Sequence, residues 1–258
     1  MPISFSKYQS TGNDFVLIDN RESKFPVANT VLIHKICDRK FGIGADGLIL
    51  LEASGIADFN MKYYNADGSP GSFCGNGSRA AVSFAHSLGI IEESASFEAY
   101  DGLHEAIIVG DLIQIKMADV QNGRQVLNGI FIDTGSPHYI EFVENLDKIE
   151  VVQEGRAVRN SAIFQPDGSN INYVEKSGQG KISVRTYERG VENETLSCGT
   201  GATAAAIAAA IAGLGNTIAI STLGGNLKVW FEQNDSGYQN IWLEGPTEMV
   251  FTGEFVNN

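Results

Sequence analysis

Cysteine is scarce in this sequence. There are three, Cys37, Cys74 and Cys198, an odd number, far apart and without CxxC spacing, so a disulfide framework is not expected. The four histidines, His34, His86, His104 and His138, fall at no metal-ligand spacing with one another or with the cysteines, and no metal is expected. No apolar run reaches the roughly 18–20 residues that cross a bilayer. The opening residues MPISFSKYQSTGNDF read neither as a signal peptide nor as an Arg-rich transit sequence, so the expected location is the cytoplasm. Positive charge is short as well: 18 Lys and Arg stand against 31 Asp and Glu, a net charge of −13. With no basic run to neutralise phosphates, nucleic acid and anionic membranes are not expected as partners.

What is present is an ordinary globular composition, 43% hydrophobic and 19% charged over 258 residues. That length builds one large domain or two modest ones, each with its own core. Cys37 lies in NTVLIHKICDRK, where Leu32, Ile33, Ile36 and Cys37 share most of one helical face. It reads as a small buried hydrophobe.

The other two cysteines answer each other. FCGNGSRAAV at 73–82 and SCGTGATAAA at 197–206 both run Cys-Gly-polar-Gly-small into an alanine-bearing helix, with Cys74 and Cys198 124 positions apart. Further landmarks keep that offset to within one residue: Gly12 in TGNDFV with Gly135 in TGSPHYI, Gly44 in GADGLIL with Gly168 in GSNINYV, and Tyr64 with Tyr187 at strand ends. Four landmarks in constant order indicate an internal duplication. The polar ADVQNGRQ at 118–125 is the natural join, so the expected domains are 1–119, with 248–258 returning to it, and 120–247.

Each half mixes β-rich runs (DFVLID, NMKYY, LIQIKM; ISVRTY, TIAIST, LKVWF) with few helices. The helix expected at 201–212, GATAAAIAAAIA, carries no charge and no polar face, so protein must surround it. Its counterpart is expected at 76–88, ending at Gly89. The fold class is therefore α/β (α+β): two homologous domains, each a curved, mostly antiparallel sheet or barrel around a central helix. The active site is expected in the cleft between the domains.

A cysteine just before a helix meets exposed backbone N–H groups and the positive end of the dipole, which favour a thiolate and hold an anion. One such cysteine alone is better explained by packing or capping. Two at equivalent positions favour function, because duplicated halves tend to present equivalent loops to a shared site. Facing thiols suit one chemistry in particular. One removes the proton beside a carboxylate, the other delivers one to the opposite face, and the stereocentre inverts. Other chemistries fit less well. Neither stretch is GxxxxGK[ST] or GxGxxG after a strand, a dithiol redox pair needs bridging distance, and a cysteine hydrolase built on His138 leaves the second cysteine idle.

Beyond these features, TGNDFV (11–16), FGIGADGL (41–48), YYNADGS (63–69), CGNGSRA (74–80), GSNINYV (168–174), YERGVENETLSCGTGA (187–202) and EGPTEMVFTGEF (244–255) resemble the diaminopimelate epimerase family over nearly the whole chain, in order. The resemblance implies an isomerase that converts L,L-diaminopimelate to the meso form in lysine biosynthesis, with no pyridoxal phosphate or other cofactor and no metal. It implies Cys74 and Cys198 as the acid–base pair, and Gly75–Asn76 and Gly199–Thr200 as backbone donors to the reacting carboxylate. Asn13, Asn65, Asn170, Glu188 and Arg189 are implied as the holders of the rest of the substrate, and His138 and Glu188 as neighbours that tune the thiols. A carboxylate at the distal end wants an arginine fork and an ammonium wants an acceptor, which Arg189 and Glu188 offer. The expected partner is the small-molecule substrate, and a homodimer is left open.

Two departures from the family pattern bear on the distal contacts: Ser136 stands where Asn is frequent, and Gly47 where some members carry Gln. Two alternatives remain at this point. One is a related racemase or epimerase of proline, hydroxyproline or histidine; the other is a non-enzymatic carboxylate-binding module.

Overall fold

A computed structural model describes residues 2–257. Two compact units divide the chain, Met1–Ile115 with Gly245–Asn258, and Lys116–Glu244. The first unit runs β1 (Ile3–Ser10), β2 (Asn13–Asp19), α1 (Thr30–Cys37), β3 (Gly47–Glu52), β4 (Phe59–Asn65), α2 (Gly75–Ser87), β5 (Ser94–Ala99), β6 (Gly102–Val109) and β7 (Leu112–Lys116). The second runs β8 (Val120–Gln121), β9 (Arg124–Val126), β10 (Gly129–Asp133), β11 (Pro137–Phe142), α3 (Val151–Arg159), β12 (Asn170–Gly178) and β13 (Lys181–Glu188). It continues through β14 (Asn193–Thr195), α4 (Gly199–Ile211), β15 (Thr217–Thr222), β16 (Gly225–Asn234) and β17 (Gly237–Pro246). The last strand, β18 (Glu248–Phe255), returns to the first unit and pairs antiparallel with β1.

Both units follow one topology. In the first, β1–β2 is an antiparallel hairpin, β2 lies parallel to β3, β3 antiparallel to β4, and β4 parallel to β5. In the second, β10–β11, β11–β12, β12–β13 and β13–β15 repeat that sequence of pairings. Parallel neighbours need crossovers, and the helices supply them: α1 and α3 in the first crossover of each unit, α2 and α4 in the second. Turn glycines match as well, Gly12 (φ 85°) with Gly135 (φ 88°), both where a hairpin reverses in a left-handed conformation closed to most side chains.

The central helices are wrapped by sheet. α4 packs on β10, β11, β12, β13, β15 and β16, and α2 on β1, β2, β3, β4 and β18. Alanine-rich α4 is buried from Ala202 to Ala209, as an uncharged helix requires. Both helices end alike. Gly89 and Gly213 adopt positive φ, with Ile90 N–H donating to Ala85 and Leu214 N–H to Ala209, the paired bonds of a Schellman cap. Their starts correct the sequence expectation by one and two residues: the helices open at Gly75 and Gly199, not at 76 and 201. Glycine's poor helix propensity hides such a boundary. In the first turn, where N–H groups have no intrahelical acceptor anyway, the cysteine before it sets the start.

Cys37 closes α1 with Leu32, Ile33 and Ile36, inside an apolar cluster that includes Phe5, Val16 and Leu48. Burial pushes its thiol up to about 12. Cys37 is therefore expected to resist iodoacetamide at pH 8 in the folded protein. Cys37→Ser is expected to keep near-wild-type turnover while losing about 1–2 kcal/mol of stability by denaturant titration, for a hydroxyl in an apolar site.

Candidate active site

Cys74 and Cys198 are the N-cap residues of α2 and α4, in nearly identical extended conformations (φ −129°, ψ 107° and φ −125°, ψ 115°). In both, the cysteine carbonyl accepts the first intrahelical bond, from Ser78 and from Ala202. Both cysteines are partly exposed residues, unlike Cys37.

In the first unit, Gly77 N–H donates to the Cys74 sulfur at 3.4 Å. Asn13 lies alongside, its Oδ1 3.9 Å from the same sulfur. The Asn13 amide has a fixed sense because its Nδ2 donates to the Asp46 carboxylate at 2.7 Å, an acceptor only. Asn76 Nδ2 donates to Asn13 Oδ1 at 3.3 Å, while its Oδ1 accepts from Arg79 at 3.0 Å. Behind Asp46, Arg39 bridges Asp46 and Asp14, and Lys7 pairs with Asp14. Burial works against the Asp14 charge, but hydrogen bonds and charge from Arg39 and Lys7 outweigh it and hold the carboxyl well below its usual range.

Arg79 is a residue that sequence reasoning missed. It is fully buried on α2, donates to Thr11 Oγ1, Asn76 Oδ1 and the Pro246 carbonyl, and leaves Nη1 without a partner. Burial pulls its guanidinium down to about 10, and the nearby Cys74 opposes that shift. Arginine is rarely buried, so helical spacing alone gave no reason to place it inside.

Asn65 ends β4, its Nδ2 on Ser69 Oγ at 3.1 Å. Gly47 sits opposite it in β3. A Cβ there would lie 2.4 Å from the Tyr63 ring and 2.6 Å from the Tyr64 carbonyl, so Tyr63 fills the space a longer residue would occupy.

In the second unit, the Cys198 sulfur lies 3.5 Å from Thr200 Oγ1. Thr200 Oγ1 is 3.0 Å from His138 Nε2, and His138 Nδ1 is 3.2 Å from Asn172 Nδ2. His138 is completely buried. That burial, with a smaller push from Arg189, brings its imidazole down to about 3, so the ring is neutral across the working range. Asn170, 3% exposed, directs Nδ2 to Ser136 Oγ and the Pro137 carbonyl and accepts the Arg189 N–H on Oδ1. It brackets Ser136 and Arg189. Arg189 follows β13, half-exposed, with Nη1 on the Asp167 carbonyl at 3.2 Å. Glu188 ends β13 and accepts from Thr195 at 2.9 Å. Among the described residues, no group of three or more His, Cys, Asp or Glu is arranged to hold a metal ion.

The depressed His138 value has a consequence for stability. Its folded value lies below the unfolded 6.5, so the unfolded chain binds the extra proton, and stability present above pH 6.5 is lost as pH falls toward 3. The slope from this one group reaches at most about 1.4 kcal/mol per pH unit. Urea titrations at pH 7 and pH 5 are expected to show a lower unfolding free energy at pH 5, with a smaller drop in His138→Gln.

A family model described as diaminopimelate epimerase matches residues 5–122 and 130–250. This chain belongs to the diaminopimelate epimerase family. A diaminopimelate epimerase of Flavobacterium psychrophilum is 52% identical over 95% of this chain and 97% of that protein. Another from Chlorobaculum tepidum is 43% identical over 94% and 97%. Solved structures share the fold at low identity. A PhzF-family phenazine biosynthesis protein of Bacillus anthracis matches with TM-score 0.78 and 16% identity over the full length of both chains. A hydroxyproline epimerase of Agrobacterium vitis matches with TM-score 0.72 and 13% identity, over 100% of this chain and 93% of that one. At such identities these two show the architecture alone.

Proposed function

We propose that this chain converts L,L-diaminopimelate to the meso form by a two-base route that uses no cofactor, with Cys74 and Cys198 serving opposite faces of one α-carbon. The family is one of isomerases in lysine biosynthesis. The observation that carries the mechanism is the pair of partly exposed cysteine N-caps at equivalent helix starts. One thiolate takes the α-proton as the other thiol gives one, and the roles exchange in the reverse direction.

The α-proton beside a carboxylate is weakly acidic, so charge building on that carboxylate has to be met. The N–H groups of Gly75, Asn76, Gly199 and Thr200, in the first turns of α2 and α4, are the proposed donors, with the positive helix ends behind them. Loss of one such donor costs on the order of 3 kcal/mol by analogy with oxyanion holes. Asn13 and Asn65, with Glu188 and Arg189, are the proposed holders of the remaining groups, Arg189 for the distal carboxylate and Glu188 for an ammonium. Asn170 is a further proposed substrate holder and also fixes Arg189 and Ser136. His138 acts on Cys198 as a neutral group through Thr200, and Glu188 remains a second candidate for tuning the thiols.

Chiral separation of the products tests the reading. Purified, reduced protein without added cofactor is expected to convert L,L-diaminopimelate to meso product and to leave L-proline and L-histidine unchanged. Conversion of proline but not diaminopimelate would overturn it.

A further inference from the structure

Cys74 and Cys198 share a helix start, but the residues behind them differ in kind. The strand registers align the two units: His138 pairs with Asn170 and Asn172 with Thr186, where Phe15 pairs with Gly47 and Ile49 with Tyr63. His138, Asn172 and Thr186 thus occupy the places held in the first unit by Phe15, Ile49 and Tyr63. The helix glycines verify the alignment. A Cβ on Gly77 would meet Ile49 first, and one on Gly201 would meet Asn172 first.

In the first unit Phe15 and Ile49 are fully buried apolar side chains, and the Phe15 ring stands edge-on to Tyr63 at 5.9 Å. The fold therefore has no need of polar groups at the places of His138 and Asn172. In the second unit His138 and Asn172 are fully buried and Thr186 is 4% exposed, and burying three such groups costs free energy unless their hydrogen bonds are made. They are made, and in one direction. Asn172 Nδ2 is 3.1 Å from the Tyr139 carbonyl, which only accepts, and Asn172 Oδ1 accepts from Thr186 at 2.9 Å. The amide sense is thereby fixed, and an N–H faces His138 Nδ1. A neutral ring whose Nδ1 accepts carries its proton on Nε2. That proton faces Thr200 Oγ1 at 3.0 Å, which leaves the Thr200 hydroxyl hydrogen for the Cys198 sulfur at 3.5 Å.

We propose that Asn172, held by Thr186 and the Tyr139 carbonyl, is a positioning residue that locks His138 as the Nε2–H tautomer, so that Thr200 donates a hydrogen bond to Cys198 and favours its thiolate. At the matching strand positions the first unit carries apolar residues, and Cys74 is flanked instead by Asn13 and by Asn76, which Arg79 holds, so the duplicated thiols are made inequivalent by the residues behind them. The proposal rests on the acid–base role of Cys198.

Its test needs no turnover. The pH dependence of iodoacetamide alkylation is read separately at Cys74 and Cys198 by peptide mass spectrometry. In Asn172→Ile, which copies the first unit, and in Thr200→Val, the Cys198 midpoint is expected to rise by about one pH unit, the scale of a hydrogen bond to a charged group. The Cys74 midpoint is expected to stay in place, and Thr200→Ser to restore the Cys198 value. An unchanged Cys198 midpoint, or equal shifts at both thiols, would overturn the proposal. Should Asn172→Ile fail to fold, nitrogen-15 NMR of histidine-labelled wild type decides: a protonated Nε2 on His138 supports it, a protonated Nδ1 refutes it. These outcomes hold whether or not diaminopimelate is the substrate.

Discussion

Cys74→Ser and Cys198→Ser are each expected to lower the epimerisation rate by about 10²–10⁴-fold, the usual scale of a lost general acid or base. The hydroxyl is isosteric enough to keep the N-cap, so both variants should melt near the wild type by circular dichroism. Serine fails because its proton is held far more tightly than a thiol's, and an uncharged hydroxyl takes no proton from so weak a carbon acid. The losses should also differ in kind. Each variant keeps one thiol and therefore one face. Solvent exchange at the α-carbon should survive with one of the L,L and meso isomers in Cys74→Ser and with the other in Cys198→Ser. If either variant lost exchange with both isomers equally, the two cysteines would not be separate bases for opposite faces.

The second large effect concerns glycines that look interchangeable in Cys-Gly-x-Gly. Gly201→Ala places its Cβ 2.6 Å from Asn172 Oδ1 and 3.3 Å from His138 Cε1. Asn172 has no room to yield, since the Tyr139 carbonyl, Thr186 and His138 all hold it. The expected cost is about 1–3 kcal/mol for an overpacked core, with roughly 10²-fold slower turnover as the α4 start shifts. Gly77→Ala meets the ends of flexible side chains, Ile49 Cδ1 at 3.1 Å and Met61 Cε at 3.3 Å. Alanine's better helix propensity offsets that crowding by up to about 1 kcal/mol. Gly77→Ala should stay within a few-fold of wild type. Steady-state rates and urea midpoints of the two variants check the contrast, and equal effects would contradict it.

Much of this fold is legible in the sequence because local pattern and tertiary role coincide. α4 announces itself by having neither charge nor face, and the duplicated Cys-Gly-x-Gly places each cysteine at a helix start. Leu32, Ile33, Ile36 and Cys37 bury the face their spacing defines. The buried polar residues around the candidate site are hidden because their signals are not local. Arg79 has helical spacing like any surface arginine, and only the sheet around α2 makes it a buried cation. Asn170 is implied by the resemblance as a substrate holder, and that reading gives no sign that its side chain also braces Ser136 and Arg189 from inside. Asn172 lies in a β-rich run with no mark beyond its polarity. One cue does exist: the 123-residue offset sets His138 against Phe15 and Asn172 against Ile49, polar against apolar at otherwise matching positions. Likeness across the offset marks the duplication, and these exchanges mark where the two halves diverge.

The central claim is that two thiols, and not one base, invert the α-carbon. It is tested most directly by early-time conversion of L,L-diaminopimelate in D2O, with mass spectrometry of both isomers. Thiols exchange with solvent, so the donating thiol carries deuterium. The account predicts meso product bearing one deuterium from the first turnovers, while the remaining L,L substrate stays unlabelled. Meso product without deuterium, or label entering recovered substrate as fast as product forms, would mean that one group removes and returns the proton, and would contradict it.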